Sequence, residues 1–204
     1  MLTSSKLTLF LAAALSLPST GQAATFVFNG TLTGNQENPS VSTSGSGNAL
    51  VSFDDVINLL SVQVSFANLI GNTTMAHIHC CAPVGSNVGV VTPVPSFPGF
   101  PLGVTAGSYS QVFDLTQASS FNPSFINNNG GSVTAARQAF ISGLQANQAY
   151  FNIHSSKFPG GEIRGQLIAA VPEPATWGMM LLGFGAMGAA MRRRQKQPQV
   201  GYAF

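Results

Sequence analysis

The strongest constraint on the fold is a strict alternation of apolar and polar residues in the segment LSVQVSF, residues 60–66. Leu60, Val62, Val64 and Phe66 are apolar, and the residues between them are serine or glutamine. Side chains at positions i and i+2 share one face of a β-strand. The segment therefore predicts a strand with one face in a core and the other in solvent.

Further short segments show strand patterns and are separated by turn-forming pairs such as Gly34-Asn35 and Gly71-Asn72. They are Thr25–Leu32, Ala49–Phe53, Met75–Cys80, Tyr109–Leu115, Ala149–His154 and Ile163–Ile168. Between residues 24 and 170, only Thr134–Leu144 is predicted to be a helix. Many short strands with regular turns predict an all-β fold, an antiparallel β-sandwich of the Ig-like or Greek-key kind with one short helix.

A proline-rich segment, residues 82–107, interrupts the strand pattern. Proline cannot donate a ladder hydrogen bond, so this segment is predicted to be a long loop. Phe97 and Phe100 lie within it. They either form a binding surface or anchor the loop to the core, and loops of this length are often functional.

The beginning of the chain has the pattern of a secretory signal peptide. Lys6 precedes an apolar run that is too short to span a bilayer, and small residues lead up to Ala23. We expect residues 1–23 to be removed on export. The cysteines then enter an oxidising compartment.

Residues 175–191 form an uncharged, largely apolar run at the short limit for a membrane-spanning helix. Arg192, Arg193 and Arg194 follow directly. Positive charge beside a span stays on the cytoplasmic side, so residues 197–204 are predicted to be a cytoplasmic tail.

Between these ends, residues 24–170 have the size of one domain with a real core. This region has five acidic and three basic residues, so the excess of positive charge in the whole chain comes from its ends. A domain with this charge lacks the electrostatic footprint of a nucleic-acid-binding protein.

Residues 171–196 resemble the PEP-CTERM sorting signal of bacterial exported proteins. Pro172, Glu173 and Pro174 precede the apolar run, the arginine cluster follows it, and Trp177 matches the tryptophan of the PEP-x-x-W-A variant. The resemblance implies that an exosortase-type membrane protease recognises and cuts this tail. The protein would be anchored transiently in the inner membrane and would then reach the cell surface or the extracellular matrix.

The three histidines are the best candidates for a binding site. His77 and His79 share one strand face, and His154 shares its face with Asn152. If the two strands lie side by side, three imidazoles can hold zinc or copper. Alternatively, the histidines form hydrogen bonds with the backbone, Glu162 or Asn152 and only hold strands together.

Cys80 and Cys81 are adjacent. In an oxidising compartment their only intrachain bond is a vicinal disulfide, which we predict. Thiolate ligation, an intermolecular bond and a buried thiol at Cys80 are the alternatives. Glu162 and Arg164 lie two residues apart on the predicted last strand, and we interpret them as a structural ion pair. No second carboxylate stands near them for acid–base catalysis, and no catalytic residue is predicted.

Three motifs together resemble the CHRD domain, a module of chordin-type proteins that also occurs in bacteria. They are FNGTLTGNQENP at Phe28–Pro39, AHIH at Ala76–His79 and YFNIHSSKFPGGEIRGQL at Tyr150–Leu167. The Cys80-Cys81 pair departs from the pattern of many members. The resemblance supports a fold and a location better than a reaction.

These observations lead to one main functional hypothesis. The chain is expected to be a secreted, surface-sorted protein that is a binding or structural component of the extracellular matrix, with exopolysaccharide or a matrix protein as partner. The alternative hypothesis is a metalloprotein, with or without redox activity, that binds zinc or copper through His77, His79 and His154. Enzymatic activity is not predicted, since three histidines alone do not define an active site.

Overall fold

The computed structural model describes residues 25–170 and 174–194, in which antiparallel strands predominate. The strands are β1 (Thr25–Thr33), β2 (Ser46–Asp54), β3 (Leu59–Ala67), β4 (Thr73–Cys80), β5 (Gly107–Asp114), β6 (Ala149–Ser155), β7 (Ile163–Gln166) and β8 (Ile168–Ala169). The helices are α1 (Pro123–Asn128), α2 (Val133–Gln145) and α3 (Pro174–Arg194), with 3-10 turns at Gly34–Gln36 and Ala118–Ser120. The prediction of an all-β antiparallel fold is confirmed. The predicted signal peptide, residues 1–23, lies outside the described residues.

The strands form one continuous sheet in the order β4-β6-β7-β1-β2-β3-β5, with β8 also paired to β1. The sheet curves into a half-barrel, so its two ends face each other across the core. The ring of Phe97 lies between those ends, with its centroid 5.4 Å from that of Phe113 on β5 and 5.6 Å from that of Phe151 on β6. The two layers predicted for a sandwich are thus the two halves of a single bent sheet.

The alternation in β3 works as the sequence predicts. Leu60, Val62, Val64 and Phe66 are buried, whereas Gln63 on the opposite face is exposed. Each buried side chain of this size contributes about 1.5–3 kcal/mol relative to an exposed one. The core therefore fixes the register of β3, since a shift by one residue would expose every apolar side chain.

The proline-rich segment runs beside the free edge of β4 instead of projecting into solvent. Its backbone amides at Val91 and Phe97 donate to carbonyl oxygens of β4 at 2.9 and 3.2 Å, and Thr92 and Ser96 accept from β4 amides through their hydroxyl groups. An unpaired strand edge is prone to aggregation, so this loop completes the sheet. Phe97 and Phe100 are buried, with the ring of Phe100 stacked on a core ring, so they anchor the loop and do not form an exposed surface.

Helix α2 begins and ends within one residue of the predicted helix, and the Ser132 hydroxyl caps its first turn. Helix α1 was not predicted. It has only six residues, too few to show a helical period, but Asn122 caps it and Pro123 follows at its first position. That pair is a helix-start signal.

The C-terminal helix α3 covers the predicted apolar run 175–191. Among residues 25–170 and 174–194, no helix is both long enough and apolar enough to cross a membrane.

Candidate metal centre

The pairing of β4 with β6 brings the three histidines together. His77 lies opposite Asn152, Met75 opposite His154, and His79 opposite Tyr150. His77 and His79 share a face of β4, and His154 lies on the corresponding face of the neighbouring strand. The ring centroids are 5.4 Å apart for His77 and His154 and 5.8 Å apart for His77 and His79.

Each histidine uses one ring nitrogen to hold a loop in place. His77 Nε2 donates to Pro95 O at 2.6 Å, and His79 Nδ1 donates to Val88 O at 2.7 Å. His154 Nδ1 donates to a third carbonyl oxygen, that of Pro159, at 2.8 Å. A carbonyl oxygen only accepts hydrogen bonds, so these contacts fix which nitrogen of each neutral ring carries the proton.

The second nitrogen of each ring is therefore bare, and it has no partner. His77 Nδ1, His79 Nε2 and His154 Nε2 are buried atoms without a hydrogen bond. A buried polar atom is nearly always satisfied, so three such atoms on neighbouring rings need an explanation.

The separations fit a metal ion. One ring nitrogen of each of the three histidines lies within 4.8 Å of those of the other two. Zinc–nitrogen bonds of about 2.0–2.1 Å place ligand nitrogens roughly 3–4 Å apart, so small ring rotations would complete the coordination. Donation of the other N–H to a backbone carbonyl is the usual way in which a protein orients a metal-ligating histidine.

The electrostatics of the site also favour neutral imidazoles. Burial lowers the pKa of His77 and of His79 from 6.5 to about 4, against the opposing effect of their carbonyl hydrogen bonds. Burial lowers the pKa of His154 as well. All three rings are thus neutral at neutral pH, each with one bare nitrogen, as metal ligation requires.

The sequence places the histidines on polar strand faces but does not show that these faces are covered. In the structure His77 and His154 are buried, because the proline-rich segment and the turn at Pro159 fold over them. One nitrogen of each ring bonds the backbone, and the other has no hydrogen-bond partner. The metal site and the purely structural role of the histidines both stay predictions.

Asn152, predicted only as a possible hydrogen-bond partner of the histidines, lies opposite His77, and Glu37, which was not predicted to belong to the site, contacts Asn152. Asn152 Nδ2 lies 3.2 Å from each carboxylate oxygen of Glu37, and both residues are buried. Burial raises the pKa of Glu37 to about 7, although Arg164 and Asn152 lower it. The available signal for Asn152 was its position on the same strand face as His154.

Glu162 does not pair with Arg164, and the predicted ion pair is wrong. The Glu162 carboxylate accepts hydrogen bonds from the hydroxyls of Thr43 and Ser155 and from the backbone amides of Ile70 and Gly71. Burial raises the pKa of Glu162, but these four hydrogen bonds together hold it below its usual value.

Arg164 turns to a different part of the molecule. It donates to Gln36 O and to Asn87 Oδ1, and its guanidinium lies 4.6 Å from the centre of the Tyr150 ring. Strand β7 begins only at Ile163, so the alternation rule does not extend to Glu162.

Cys80 and Cys81 are joined as a vicinal disulfide at the end of β4. The disulfide packs against Gly143 of α2, where an added Cβ would come within 2.3 Å of both sulfur atoms. The sulfur atoms are thus enclosed between the sheet and the helix, and no free cysteine is left among the described residues.

Of the predicted sorting residues, Trp177 and Arg192 lie on α3 and are exposed. Pro174, Arg193 and Arg194 fall within the same helix. Pro172 and Glu173 lie outside the described residues.

Comparison with known proteins identifies two regions of the chain. The family model of the CHRD domain matches residues 28–167, and that of the PEP-CTERM protein-sorting motif matches residues 170–194. The first match contains all three histidines. Neither the curated proteins nor the solved structures gave a significant match.

Proposed function

The chain belongs to the CHRD domain family and carries a PEP-CTERM sorting motif, and from that premise we propose that it is a surface protein that binds a transition metal ion through His77, His79 and His154. The sorting motif makes it an exported protein that an exosortase-type membrane enzyme processes. The metal site is the function that the geometry of the CHRD domain supports best.

One observation carries the proposal: each of three neighbouring imidazoles has a bare, buried nitrogen, and one ring nitrogen of each lies within 4.8 Å of those of the other two. A purely structural role uses one nitrogen of each ring and leaves the other without a partner, which is unfavourable in a protein interior. A cation among these rings would satisfy all three at once.

The ligand set indicates which metals fit. Imidazole nitrogen is a preferred ligand of zinc and copper, whereas magnesium and calcium prefer oxygen. Three protein ligands leave a fourth position open, as in catalytic zinc sites. The site is also formed before the metal arrives, because the loop carbonyls already orient each ring.

A metal titration of the full-length protein tests this proposal. We expect one equivalent of zinc or copper(II) to bind, and His77→Ala or His154→Ala to weaken binding by at least about 100-fold. Gln63→Ala, an exposed change on β3, which pairs with neither β4 nor β6, is the matched control and should bind metal as the wild type does. A wild-type protein that retains no zinc or copper would refute the metal site.

A role in the extracellular matrix is a second candidate, favoured by the sorting motif and by one surface. A groove of about 470 Å³ runs across β1, β2, β3 and β5. Its polar lining consists of uncharged side chains: Asn29, Thr31, Asn48, Gln63, Ser65, Ser108 and Ser110. Amide and hydroxyl groups suit a neutral polysaccharide. Co-sedimentation with the producing cell's exopolysaccharide tests this candidate, and Gln63→Ala combined with Asn48→Ala should weaken it.

A further inference from the structure

Asn152 holds a central place on the candidate site's face of the sheet. It lies directly opposite His77 on β4, and it shares a face of β6 with Tyr150 and His154. Its side chain is only 3% exposed. Asn152 is therefore a buried polar neighbour of at least two of the proposed metal ligands.

The orientation of the Asn152 amide follows from its contact with Glu37. The Nδ2 group lies 3.2 Å from both carboxylate oxygens and is the only part of the amide that can donate to them. Oδ1 must then point elsewhere, and it has no hydrogen-bond partner.

Gly161 keeps this amide in place. A Cβ at residue 161 would come within 2.7 Å of Asn152 Nδ2 and of Glu37 Oε1, and within 2.8 Å of Asn152 Oδ1. The backbone of Gly161 therefore packs directly against the amide and the carboxylate. The amide is positioned before any ligand binds, as effective binding sites require.

Asn152 Oδ1 joins the three bare imidazole nitrogens among the buried atoms that have no hydrogen-bond partner in the described part of the chain. Among residues 25–170 and the described part of α3, the buried side-chain nitrogen and oxygen atoms without a partner are His77 Nδ1, His79 Nε2, His154 Nε2 and Asn152 Oδ1. Three are nitrogen lone pairs that suit a metal, and the fourth is an oxygen acceptor. A metal ion that carries a water molecule supplies what all four lack.

We propose that Asn152 Oδ1 accepts a hydrogen bond from a water molecule bound at the fourth position of the metal, and so selects the exogenous ligand. This inference rests on the proposed metal site. Carbonyl oxygen is a poor ligand for metals that prefer imidazole, so Oδ1 serves the bound water and does not replace it. The site then favours small oxygen ligands that donate a hydrogen bond, such as water, hydroxide or hydroperoxide, over anions without a donor.

Cobalt(II) and azide provide a direct test, because the visible absorption of cobalt(II) reports its ligands and azide has no proton to donate. The full-length protein loaded with one equivalent of cobalt(II) is titrated with azide. We expect Asn152→Leu still to take up one equivalent of cobalt(II), with a loss of affinity no greater than the roughly 10- to 100-fold typical of an outer-shell partner, and to bind azide at least tenfold more tightly. Asn127→Leu, an exposed asparagine on α1, should bind azide as the wild type does.

The outcomes separate the two proposals. A wild-type protein that takes up no cobalt refutes the metal site itself. Normal cobalt uptake with unchanged azide affinity in Asn152→Leu refutes only the role of Asn152. A folded Asn152→Leu protein that no longer takes up one equivalent of cobalt(II) would make Asn152 a direct ligand and would also overturn the inference.

A second measurement needs no variant, in case Asn152→Leu does not fold. In a crystal structure of the zinc-loaded wild type, we expect a zinc-bound water within hydrogen-bonding distance of Asn152 Oδ1, about 2.6–3.0 Å. A zinc–Oδ1 bond, or an amide whose oxygen faces away from the metal, would contradict the inference.

Discussion

At the residue scale, the two nitrogens of each imidazole ring in the candidate site have different roles. One nitrogen of His77, His79 and His154 donates to a loop carbonyl, and the other remains a bare lone pair. The same hydrogen bonds that hold the loops therefore prepare the rings for a cation.

The lowered pKa values of the histidines predict how the stability of the metal-free protein depends on pH. In the unfolded chain His77 and His79 become protonated as the pH falls below 6.5. In the folded protein the same two rings stay neutral down to about pH 4. Stability should therefore fall as the pH falls from 6.5 to 4. Glu37 opposes this trend, because its raised pKa makes stability fall as the pH rises from 4.5 to 7.

The effect of two histidines is larger than that of one carboxyl group, so the free energy of unfolding should increase as the pH rises from 4 to 6.5. Urea denaturation of the metal-free protein between pH 4 and 7 measures it. We expect Glu37→Gln to steepen the slope and His77→Gln to reduce it. A free energy of unfolding that stays constant or rises toward pH 4 would show that the histidines are not buried as neutral rings.

Gly143 supplies a second prediction at this scale. A methyl group there would overlap the Cys80–Cys81 disulfide, and neither the disulfide nor α2 can easily move aside. We expect Gly143→Ala to destabilise the protein by about 1–3 kcal/mol, despite the higher helix propensity of alanine. Ser142→Ala, an exposed change at the preceding residue of the same helix, should leave thermal stability nearly unchanged. Equal melting temperatures for the two variants would mean that the disulfide does not pack on α2.

At the element scale, the strands could be predicted from the sequence, but the burial of the histidines by the proline-rich segment could not. The alternation in residues 60–66 reports burial on one face of β3, and the structure agrees. The sequence 82–107 shows only that prolines prevent a regular strand. Its course along β4 depends on hydrogen bonds from Val91 and Phe97 to residues far earlier in the chain, which no local pattern reports.

The same limit applies to the candidate site. Because residues i and i+2 of a strand share a face, the sequence predicted that His77 and His79 lie together. The position of His154 beside them depends on the pairing of β4 with β6, which the sequence does not show. The ion pair of Glu162 with Arg164 was wrongly predicted because the alternation rule was applied one residue before β7 begins.

Phe97 tests whether the loop is an integral part of the fold. Its ring is 2% exposed and contacts β5 and β6. We expect Phe97→Ala to cost about 3–5 kcal/mol in the free energy of unfolding, because it leaves a large cavity. It should also speed amide hydrogen exchange at Ile78 and Ala76, whose amides bond the loop.

Leu102 lies in the same segment and is 52% exposed, so Leu102→Ala is the control and should change stability by less than about 0.5 kcal/mol. If the two variants unfold at the same urea concentration, the loop is not anchored through Phe97.

At the scale of the whole molecule, the chain combines a CHRD domain, in which we propose a metal site, with a C-terminal sorting motif. The CHRD domain covers residues 28–167 and the sorting motif covers residues 170–194. The candidate site lies entirely within the domain, so processing of the tail should leave it intact.

The sorting motif predicts the mass of the mature protein. In a bacterium that contains an exosortase-type enzyme, the protein recovered from the cell surface should lack Arg192, Arg193 and Arg194. Intact-mass spectrometry checks this, and a variant with Pro172→Ala and Pro174→Ala should retain the full tail. A surface protein whose mass extends to Phe204 would contradict processing at the motif.

The central claim is that three histidines form one metal site, and anomalous diffraction tests it most directly. Crystals of the full-length protein grown with zinc would be measured above and below the zinc absorption edge. We predict one strong anomalous peak about 2.0–2.1 Å from His77 Nδ1, His79 Nε2 and His154 Nε2. A well-ordered structure with no peak there, or with zinc bound only at other residues, would contradict it.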